Sequence, residues 1–348
     1  MNSDKPEPSD DTRLEEIVKR SAWKVLADLA KYTAVIAIVF FSLRMVYQKV
    51  SKISFAQVME SIANIPPSQL ALAIAIMGLN FFVLTGYDWI AVTYLKKKVS
   101  LSKIMIGAII GYAFSNIVGW MLGGTAVRYR LYRRWGFSFM DIVAFISLLS
   151  VTFWLGMFLL AGIAFVLLPV RLPAEYQEHL YFSPQSYGYA FLFIVLLYLL
   201  ATLVIRKPIK IGGQEFAFPP FSLSILQLVV SAADFALASL VLYILLPPGT
   251  ANYSTVLVSY LAAMIVTVTL HVPGGFGVLE LIVLEMLTKE VEKGAVEPLI
   301  VSVTCGLILF RVIYYFVPGI IAFILLLFQE ILPSQNKQEQ RDAIAENI

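Results

Sequence analysis

The sequence predicts an all-α, polytopic integral membrane protein, built as a helical bundle with two broken or re-entrant helical segments. An excess of apolar residues, a series of apolar stretches of membrane length, and glycine- and proline-rich breaks inside two of them predict this class. Of the 348 residues, 59% are hydrophobic and 14% are charged, whereas soluble domains contain roughly 45–50% apolar and about 25% charged residues. The mean hydropathy is +0.81. A soluble fold of this length could not bury that excess.

Composition also excludes several kinds of chemistry. The single cysteine, Cys305, excludes an intramolecular disulfide, and the two histidines, His179 and His271, are too few for a Cys/His metal cage. We therefore expect no metal and no cofactor. The net charge of +3 gives no indication of nucleic-acid binding. The sequence contains neither a phosphate-binding glycine loop nor a nucleophile elbow, so we expect the protein not to be an enzyme.

The chain divides into a polar cytoplasmic tail with an entry helix (1–31), a membrane domain (32–332) and a polar C-terminal tail (333–348). A spanning helix needs about 20 apolar residues. The uninterrupted candidates are Tyr32–Tyr47, Gln69–Leu95, Met140–Leu168, Tyr187–Ile205 and Ser222–Leu246, and a last apolar stretch, Pro298–Leu332, contains Arg311 and Pro318. Lysine and arginine clusters in the loops place the N-terminus on the cytoplasmic side.

The first interrupted stretch, residues 101–127, is broken by Asn116, Gly119, Gly123 and Gly124. Basic clusters precede it at 96–103 and follow it at 128–134, so the positive-inside rule favours a segment that dips into the membrane and returns. Small residues at every fourth position would instead pack one continuous crossing helix. They are Gly107, Gly111, Ser115, Gly119 and Gly123. Both readings stay open.

The second interrupted stretch, residues 254–287, is broken by the run from His271 to Gly277, which contains Pro273, Gly274 and Gly275. This stretch either crosses or enters and returns from the outside. Such backbone leaves polar groups unpaired and survives in a membrane only beside protein or a wet cavity. Paired broken helices of this kind are the usual pointer to a transport site.

Charged residues inside spans are costly, at about 2.5–3.5 kcal/mol each near a helix centre, so each needs a reason. Asp234 falls at mid-depth of its span, whereas Asp88 falls near an inner end and could be a simple interfacial residue. Glu280 belongs to the first turn of a helix expected to begin near Gly277. There it could cap the helix or bind a cationic head group.

Two arginines complete the candidate set. Arg311 lies inside the last apolar stretch and needs an anion, which could be a lipid phosphate or the carboxylate of Glu280 or Asp234. Arg128 follows the first break and is placed at the mouth of the site, in a helix that Thr125 could cap.

These motifs resemble a known family. The run Gly123-Gly124-Thr125-Ala126-Val127-Arg128-Tyr129-Arg130-Leu131-Tyr132 resembles the signature of the flippase-like domain of lysylphosphatidylglycerol synthases, and Pro273 to Glu280 matches a second motif. The resemblance covers roughly residues 30–330, and stand-alone members form the UPF0104 family. It implies translocation of a phospholipid, with aminoacylated phosphatidylglycerol as a candidate. The chain ends soon after Leu332, so the soluble synthase activity is not expected.

The leading hypothesis is therefore a bacterial inner-membrane protein that moves a phospholipid between leaflets. Arg128 and Arg311 would bind the phosphate, and Asp88, Asp234 and Glu280 would complement them or a cationic head group. Two alternatives stay open: a non-enzymatic scaffold for a separately encoded synthase, and a membrane-embedded head-group enzyme with Glu280 or Asp234 as general base. The expected partners are membrane phospholipids and, for the scaffold, that synthase, with no nucleic acid. Homo-oligomers are compatible with the sequence.

Overall fold

A computed structural model describes residues 54–168, 182–205, 209–211, 214–216, 218–288 and 296–331, together with 33, 37, 40–48 and 51. The predicted tails, 1–31 and 333–348, and most of the first predicted span lie outside the described residues. The described chain is helical apart from one two-stranded antiparallel ribbon, in which Ile209 pairs with Phe216. The prediction of an all-α membrane bundle is confirmed.

The elements follow one another as α1 Phe55–Ala63, α2 Pro67–Tyr94, α3 Leu101–Val118, α4 Ala126–Arg134, α5 Phe139–Leu167, α6 Pro184–Val204, β1 Ile209–Ile211, β2 Gln214–Phe216, α7 Phe221–Leu245, α8 Tyr253–Thr269, α9 Val278–Thr288, α10 Val296–Phe310 and α11 Val317–Ile331. Six helical stretches of the described chain have the length and apolarity to cross a membrane, namely α2, α3, α5, α6, α7 and the continuous stretch Glu297–Gln329. These helices are apolar on all sides because one face packs inward and the other is exposed, as expected for a helix in lipid.

Polar contacts at the helix ends fix how α2, α5 and α7 run. Gln69 donates to the carbonyls of Ile244 and Leu246, which places the start of α2 beside the end of α7. Lys97, just after α2, forms a 2.6 Å ion pair with Asp141 in the first turn of α5. The end of α2 therefore lies beside the start of α5, at the opposite end of the bundle from Gln69.

The first interrupted stretch forms a hairpin with two helical limbs, α3 and α4, joined at Gly119 and a π-helical turn over Trp120–Thr125. A Cβ at Gly111 would lie 2.5 Å from Arg128 Cζ, and a Cβ at Gly124 would collide with Ser115 Oγ. Positions 111 and 115 thus face 128 and 124, so the limbs are antiparallel. We call this unit, residues 101–134, the first hairpin.

The first hairpin begins and ends at the end of the bundle where Lys97 pairs with Asp141. This geometry agrees with the re-entrant interpretation. Of the small residues at every fourth position, Gly107 and Gly111 face α4 and Ser115 faces Gly124, whereas Gly119 lies at the tip against Pro273. The expected cap at Thr125 is wrong. Thr125 has helical dihedral angles and its side chain makes no capping hydrogen bond, because the π-helical turn runs directly into α4.

The second interrupted stretch forms a pair of packed helices, α8 and α9, on either side of a tight turn at Pro273–Gly275. We call residues 253–288 the second hairpin. It begins at the Gln69 end of the bundle, because α8 follows the end of α7 after a short link and the Tyr253 hydroxyl donates to the carbonyl of Ala236 at 3.0 Å. Helix α9 begins at Val278, as predicted.

The two hairpins meet at their broken tips. A Cβ on Gly274 would lie 2.8 Å from the carbonyl oxygen of Asn116, and one on Gly119 would lie 3.6 Å from Pro273 Cα. Gly274 also has a φ of 60°, a left-handed conformation that glycine adopts without strain. The sequence breaks in both hairpins are therefore close contacts between two pieces of backbone.

The last span is continuous but not uniform. It runs from α10 into α11 through a π-helical turn, Arg311–Phe316, so Arg311 lies where the helical pattern changes. Arg134 at the end of α4 donates to the carbonyl of Gln329, which places the end of this span beside the open end of the first hairpin.

Candidate functional site

The first polar cluster joins the first hairpin to α2. Arg128 Nη2 donates to Asp88 Oδ1 at 3.2 Å, and the Tyr132 hydroxyl donates to Asp88 Oδ2 at 2.7 Å. Both partners of the ion pair are buried, with side chains 1% and 0% exposed. Asp88 is therefore buried against α4 and paired with a cation, rather than exposed as a simple interfacial residue would be.

Aromatic rings and a glycine also surround the Arg128 guanidinium. Its guanidinium carbon lies 4.1 Å from the centre of the Tyr112 ring and 5.6 Å from that of Trp120. The close approach of Gly111 leaves no room for a side chain opposite it. Among the described residues, Nη1 of Arg128 has no hydrogen-bond partner. The first cluster thus contains a buried cation in which one nitrogen has no hydrogen-bond partner among the described residues.

The second polar cluster stabilises the turn of the second hairpin. Arg311 Nε donates to Glu280 Oε1 at 2.5 Å, Nη1 donates to the carbonyl of Gly274 at 2.6 Å, and Nη2 donates to that of Gly275 at 3.1 Å. Glu280 Oε2 in turn accepts the amide of Gly277 at 2.8 Å. For Glu280 the structure shows the helix-capping role, because its side chain caps α9. For Arg311 it shows the protein carboxylate as partner, because Arg311 pairs with Glu280.

This arrangement satisfies the backbone that the glycines and proline leave unpaired. Two carbonyls and one amide of the turn find partners in two charged side chains, as hydrocarbon surroundings require. The Arg311 guanidinium also lies between two aromatic rings, with its carbon 4.6 Å from the centre of Phe276 and 4.4 Å from that of Tyr315. Arg311 is therefore engaged at all three of its nitrogen atoms.

The third polar cluster lies between α2, α7 and the last span. Asp234 Oδ1 accepts from Asn80 Nδ2 at 3.0 Å, and Oδ2 accepts from the Tyr87 hydroxyl at 2.9 Å. Asn80 Oδ1 accepts from the Tyr314 hydroxyl at 2.6 Å. Neutral donors, rather than a cation, thus surround this carboxyl.

The five predicted side chains occur in three adjacent clusters: Asp88 with Arg128, Glu280 with Arg311, and Asp234 between them. Tyr87 of the third cluster precedes Asp88 in the chain, and Tyr314 precedes Tyr315, which packs on Arg311. The predicted glycines divide in the same way. Gly123 and Gly124 form the tip of the first hairpin, and Pro273, Gly274, Gly275 and Gly277 form that of the second.

Sequence reasoning missed Asn80, which links Asp234 to Tyr314, and Tyr112, which packs on Arg128. A signal existed for Asn80, because it is an amide in the middle of an otherwise apolar span and lies two helical turns before Asp88 on the same helix. Tyr112 carried no comparable signal, since tyrosines are common throughout the chain.

Comparison with known proteins decides the family. Residues 29–322 match the model of the lysylphosphatidylglycerol synthase TM region. The chain belongs to this family. It is a multi-pass membrane protein, with helices long and apolar enough to span the bilayer.

Relatives of similar length include the uncharacterized protein slr0712 of Synechocystis, 34% identical over 306 residues, which cover 86% of this chain and 91% of the relative. The inner membrane protein YbhN of Escherichia coli is 29% identical over 313 residues, or 88% of this chain and 93% of YbhN. The phosphatidylglycerol lysyltransferase of Staphylococcus aureus is 27% identical over 319 residues, which cover 90% of this chain but 35% of that enzyme.

Proposed function

We propose that this family member is a bacterial inner-membrane protein, with its N-terminus in the cytoplasm, that binds a phospholipid by its head group and moves it between the leaflets. The observation that carries the proposal is the meeting of two broken hairpins inside the bundle, where Gly274 packs on the Asn116 carbonyl. The main barrier to moving a lipid is the loss of head-group hydration. Polar backbone and buried charge at this contact would replace part of that hydration.

Arg128 is the residue best suited to bind the lipid phosphate. Its guanidinium is buried, and Nη1 has no hydrogen-bond partner among the described residues. A phosphate that enters between the first hairpin and α2 would replace Asp88 as the anion facing this guanidinium. Arginine suits this exchange, because its planar fork binds carboxylate and phosphate in the same geometry. Arg311 is a weaker candidate than the sequence alone suggests, because backbone carbonyls already engage it.

Phosphatidylglycerol and its aminoacylated form are the first lipids to test. The support is the relative in Staphylococcus aureus, which is named a phosphatidylglycerol lysyltransferase and of which this chain matches one part. An aminoacylated head group would bring a cation together with its phosphate, and Asp88 and Asp234 could each face that cation. The proposal includes no catalysis.

The test is reconstitution into liposomes with a label on one leaflet. We expect wild-type protein to speed the movement of labelled phosphatidylglycerol, and the double variant Asp88→Asn/Arg128→Gln to lose that activity. The double variant removes both buried charges together, so it avoids leaving one of them unpaired. Arg130→Gln, an exposed arginine on the same helix, is the matched control.

Two results would contradict the proposal. One is a purified, folded wild-type protein that moves none of the labelled lipids. The other is a double variant that moves them as fast as the wild type does, which would remove Arg128 from the site.

A second candidate function is a membrane scaffold for a separate lipid-modifying synthase. It is favoured by the match to about a third of the lysyltransferase, which leaves most of that enzyme without a counterpart in the aligned region. Co-purification of a soluble synthase with this chain, together with wild-type protein that moves no lipid, would favour the scaffold over the transporter.

A further inference from the structure

Asp234 is a buried carboxylate whose hydrogen-bond partners among the described residues are neutral, unlike Asp88 and Glu280, which each pair with an arginine. In the described part of the chain, ion pairs join Lys97 to Asp141, Arg128 to Asp88 and Arg311 to Glu280. Asp234 lies near the middle of α7 with 7% of its surface exposed, and hydrogen bonds from one amide and one hydroxyl hold it.

A charged carboxylate in such a place is costly. Two neutral donors offset part of the lost hydration, but among the described residues no ion pair offsets the rest. Either a proton or a metal cation could cancel the charge. Here the Asn80 amide nitrogen and the Tyr87 hydroxyl point their hydrogens at the two carboxylate oxygens. Hydrogens repel a metal cation and leave few oxygen lone pairs to bind it, so this geometry favours a proton.

The other titratable groups around Asp234 are poor competitors for that proton. Those that interact with it are the phenols of Tyr87 on α2, Tyr112 on α3, Tyr260 on α8 and Tyr314 in the π-helical turn. The remaining helices packed on α7 carry Asp141 on α5, Tyr187, Tyr189 and Tyr198 on α6, and Glu297 and Cys305 on α10. Phenols hold their protons up to about pH 10. Near neutral pH, the Asp234 carboxyl is therefore the group in this cluster that takes up or releases a proton.

We propose that Asp234 is a proton-binding site whose charge controls both hairpins. Its two hydrogen bonds lead to residues next to the ion pairs: Tyr87 precedes Asp88, and Asn80 holds Tyr314, which precedes Tyr315 against Arg311. The coupling to lipid movement rests on the proposed function, whereas the proton site itself does not.

The chemical step is a simple protonation. A hydronium ion gives its proton to Oδ2 of Asp234: one O–H bond of hydronium breaks, one O–H bond of the carboxyl forms, a water molecule is left, and no covalent bond of the protein breaks. The new hydrogen then points at the Tyr87 oxygen, so the Tyr87 hydroxyl must turn its own hydrogen to another acceptor. When Oδ2 returns its proton to water, the original hydrogen bond of 2.9 Å forms again.

The site is tested without any transport by infrared difference spectroscopy of the purified protein during a pH titration. We expect a protonated-carboxyl band that disappears as the pH rises, that is lost in Asp234→Asn and that is kept in Glu297→Gln, an exposed carboxylate on α10. Tyr87→Phe keeps the carboxyl and removes one hydrogen bond, so we expect the band with a shifted midpoint. A band that persists in Asp234→Asn, or a midpoint that moves with sodium concentration, overturns the proton site.

The coupling is tested in liposomes with an imposed pH gradient. We expect lipid movement by the wild type to respond to the gradient, and Asp234→Asn to lose that response while Glu297→Gln keeps it. Wild-type lipid movement that ignores the gradient overturns the coupling and leaves the proposed function intact. An Asp234 band that titrates in protein that moves no lipid supports the proton site and overturns the proposed function.

Discussion

Each hairpin contacts a pair formed by an arginine and a carboxylate, but the two pairs have different roles. At the second hairpin, Arg311 of the last span and Glu280 of α9 bind the backbone of the turn itself, so the ion pair holds an irregular loop in shape. In the first hairpin, Arg128 and Asp88 join two helices through side chains alone. The loop of the second hairpin thus depends on Arg311. The first hairpin is already shaped by its glycines, and Nη1 of Arg128 has no hydrogen-bond partner among the described residues.

The largest effect should come from Arg311→Met. Glu280 would lose its cation and two carbonyls of the turn would lose their donors, so we expect a loss of about 3–5 kcal/mol of stability, typical of a broken buried ion pair. Unfolding of the purified protein in mixed micelles measures it. Val312→Met, at the exposed neighbouring position, is the control. A variant as stable as the wild type would show that the turn holds without Arg311.

A double-mutant cycle at Asp88 and Arg128 should give a smaller effect. Each single change, Asp88→Asn or Arg128→Gln, leaves one buried charge unpaired, and we expect each to cost about 3 kcal/mol. The double variant should lose less stability than either single variant, because no unpaired charge is left. Losses that simply add would mean that the two side chains act independently.

Glycine substitutions should separate the two hairpins further. Gly111→Ala would place a Cβ 2.5 Å from Arg128 Cζ, and we expect a cost of about 1–3 kcal/mol as the arginine shifts. Gly274→Ala should cost about 1–2 kcal/mol through its left-handed backbone, and its new Cβ would also lie 2.8 Å from the Asn116 carbonyl oxygen. Gly78→Ala, with open space around the new Cβ, is the control and should be neutral or slightly stabilising in a helix.

The stability cost of Gly111→Ala, unlike that of Gly274→Ala, should depend on the length of the side chain at position 128. If Gly111→Ala crowds the guanidinium, adding Arg128→Gln to it should cost less than Arg128→Gln costs alone. Thermal stability in detergent measures this. A penalty for Gly111→Ala that is independent of Arg128 would place the contact elsewhere.

The smallest effect is expected from surface cysteines that test which ends of the bundle share a side. In a Cys305→Ser background, Lys98→Cys and Arg130→Cys should react with an impermeant reagent from the same side of the membrane, and Pro248→Cys from the other. All three positions are exposed, so stability should not change. Opposite reactivity at 98 and 130 would mean that the first hairpin crosses.

Hydropathy alone predicts much of the fold. The starts and ends of α2, α5, α6 and α7 fall within three residues of their predictions, because lipid requires helices whose length is set by the bilayer. The re-entrant geometry of residues 101–134 needed a second rule, that arginine and lysine clusters share a side. The stripe at Gly107, Gly111 and Ser115 was ambiguous, since small residues permit a close approach without saying which helix approaches.

The charged residues of the site could be predicted one by one, but which of them pair with each other could not. Buried charge is rare enough in membrane spans that Asp88, Asp234 and Arg311 stand out from the sequence. Which carboxylate faces which arginine depends on helix packing, which hydropathy does not encode. Asn80 was overlooked because placing a neutral amide in the bilayer costs less free energy than placing a charge there. Its presence in a span is therefore a weaker signal of function.

Both arginine sites adjoin a π-helical turn, one over Trp120–Thr125 and the other over Arg311–Phe316. Such a turn holds one residue more than an α-helical turn, so the helix beyond it is out of phase with the helix before it. Moving that extra residue along the chain by one position would rotate the intervening side chain by about 100°. Each arginine therefore lies beside a place where a helix can slip in register without unwinding.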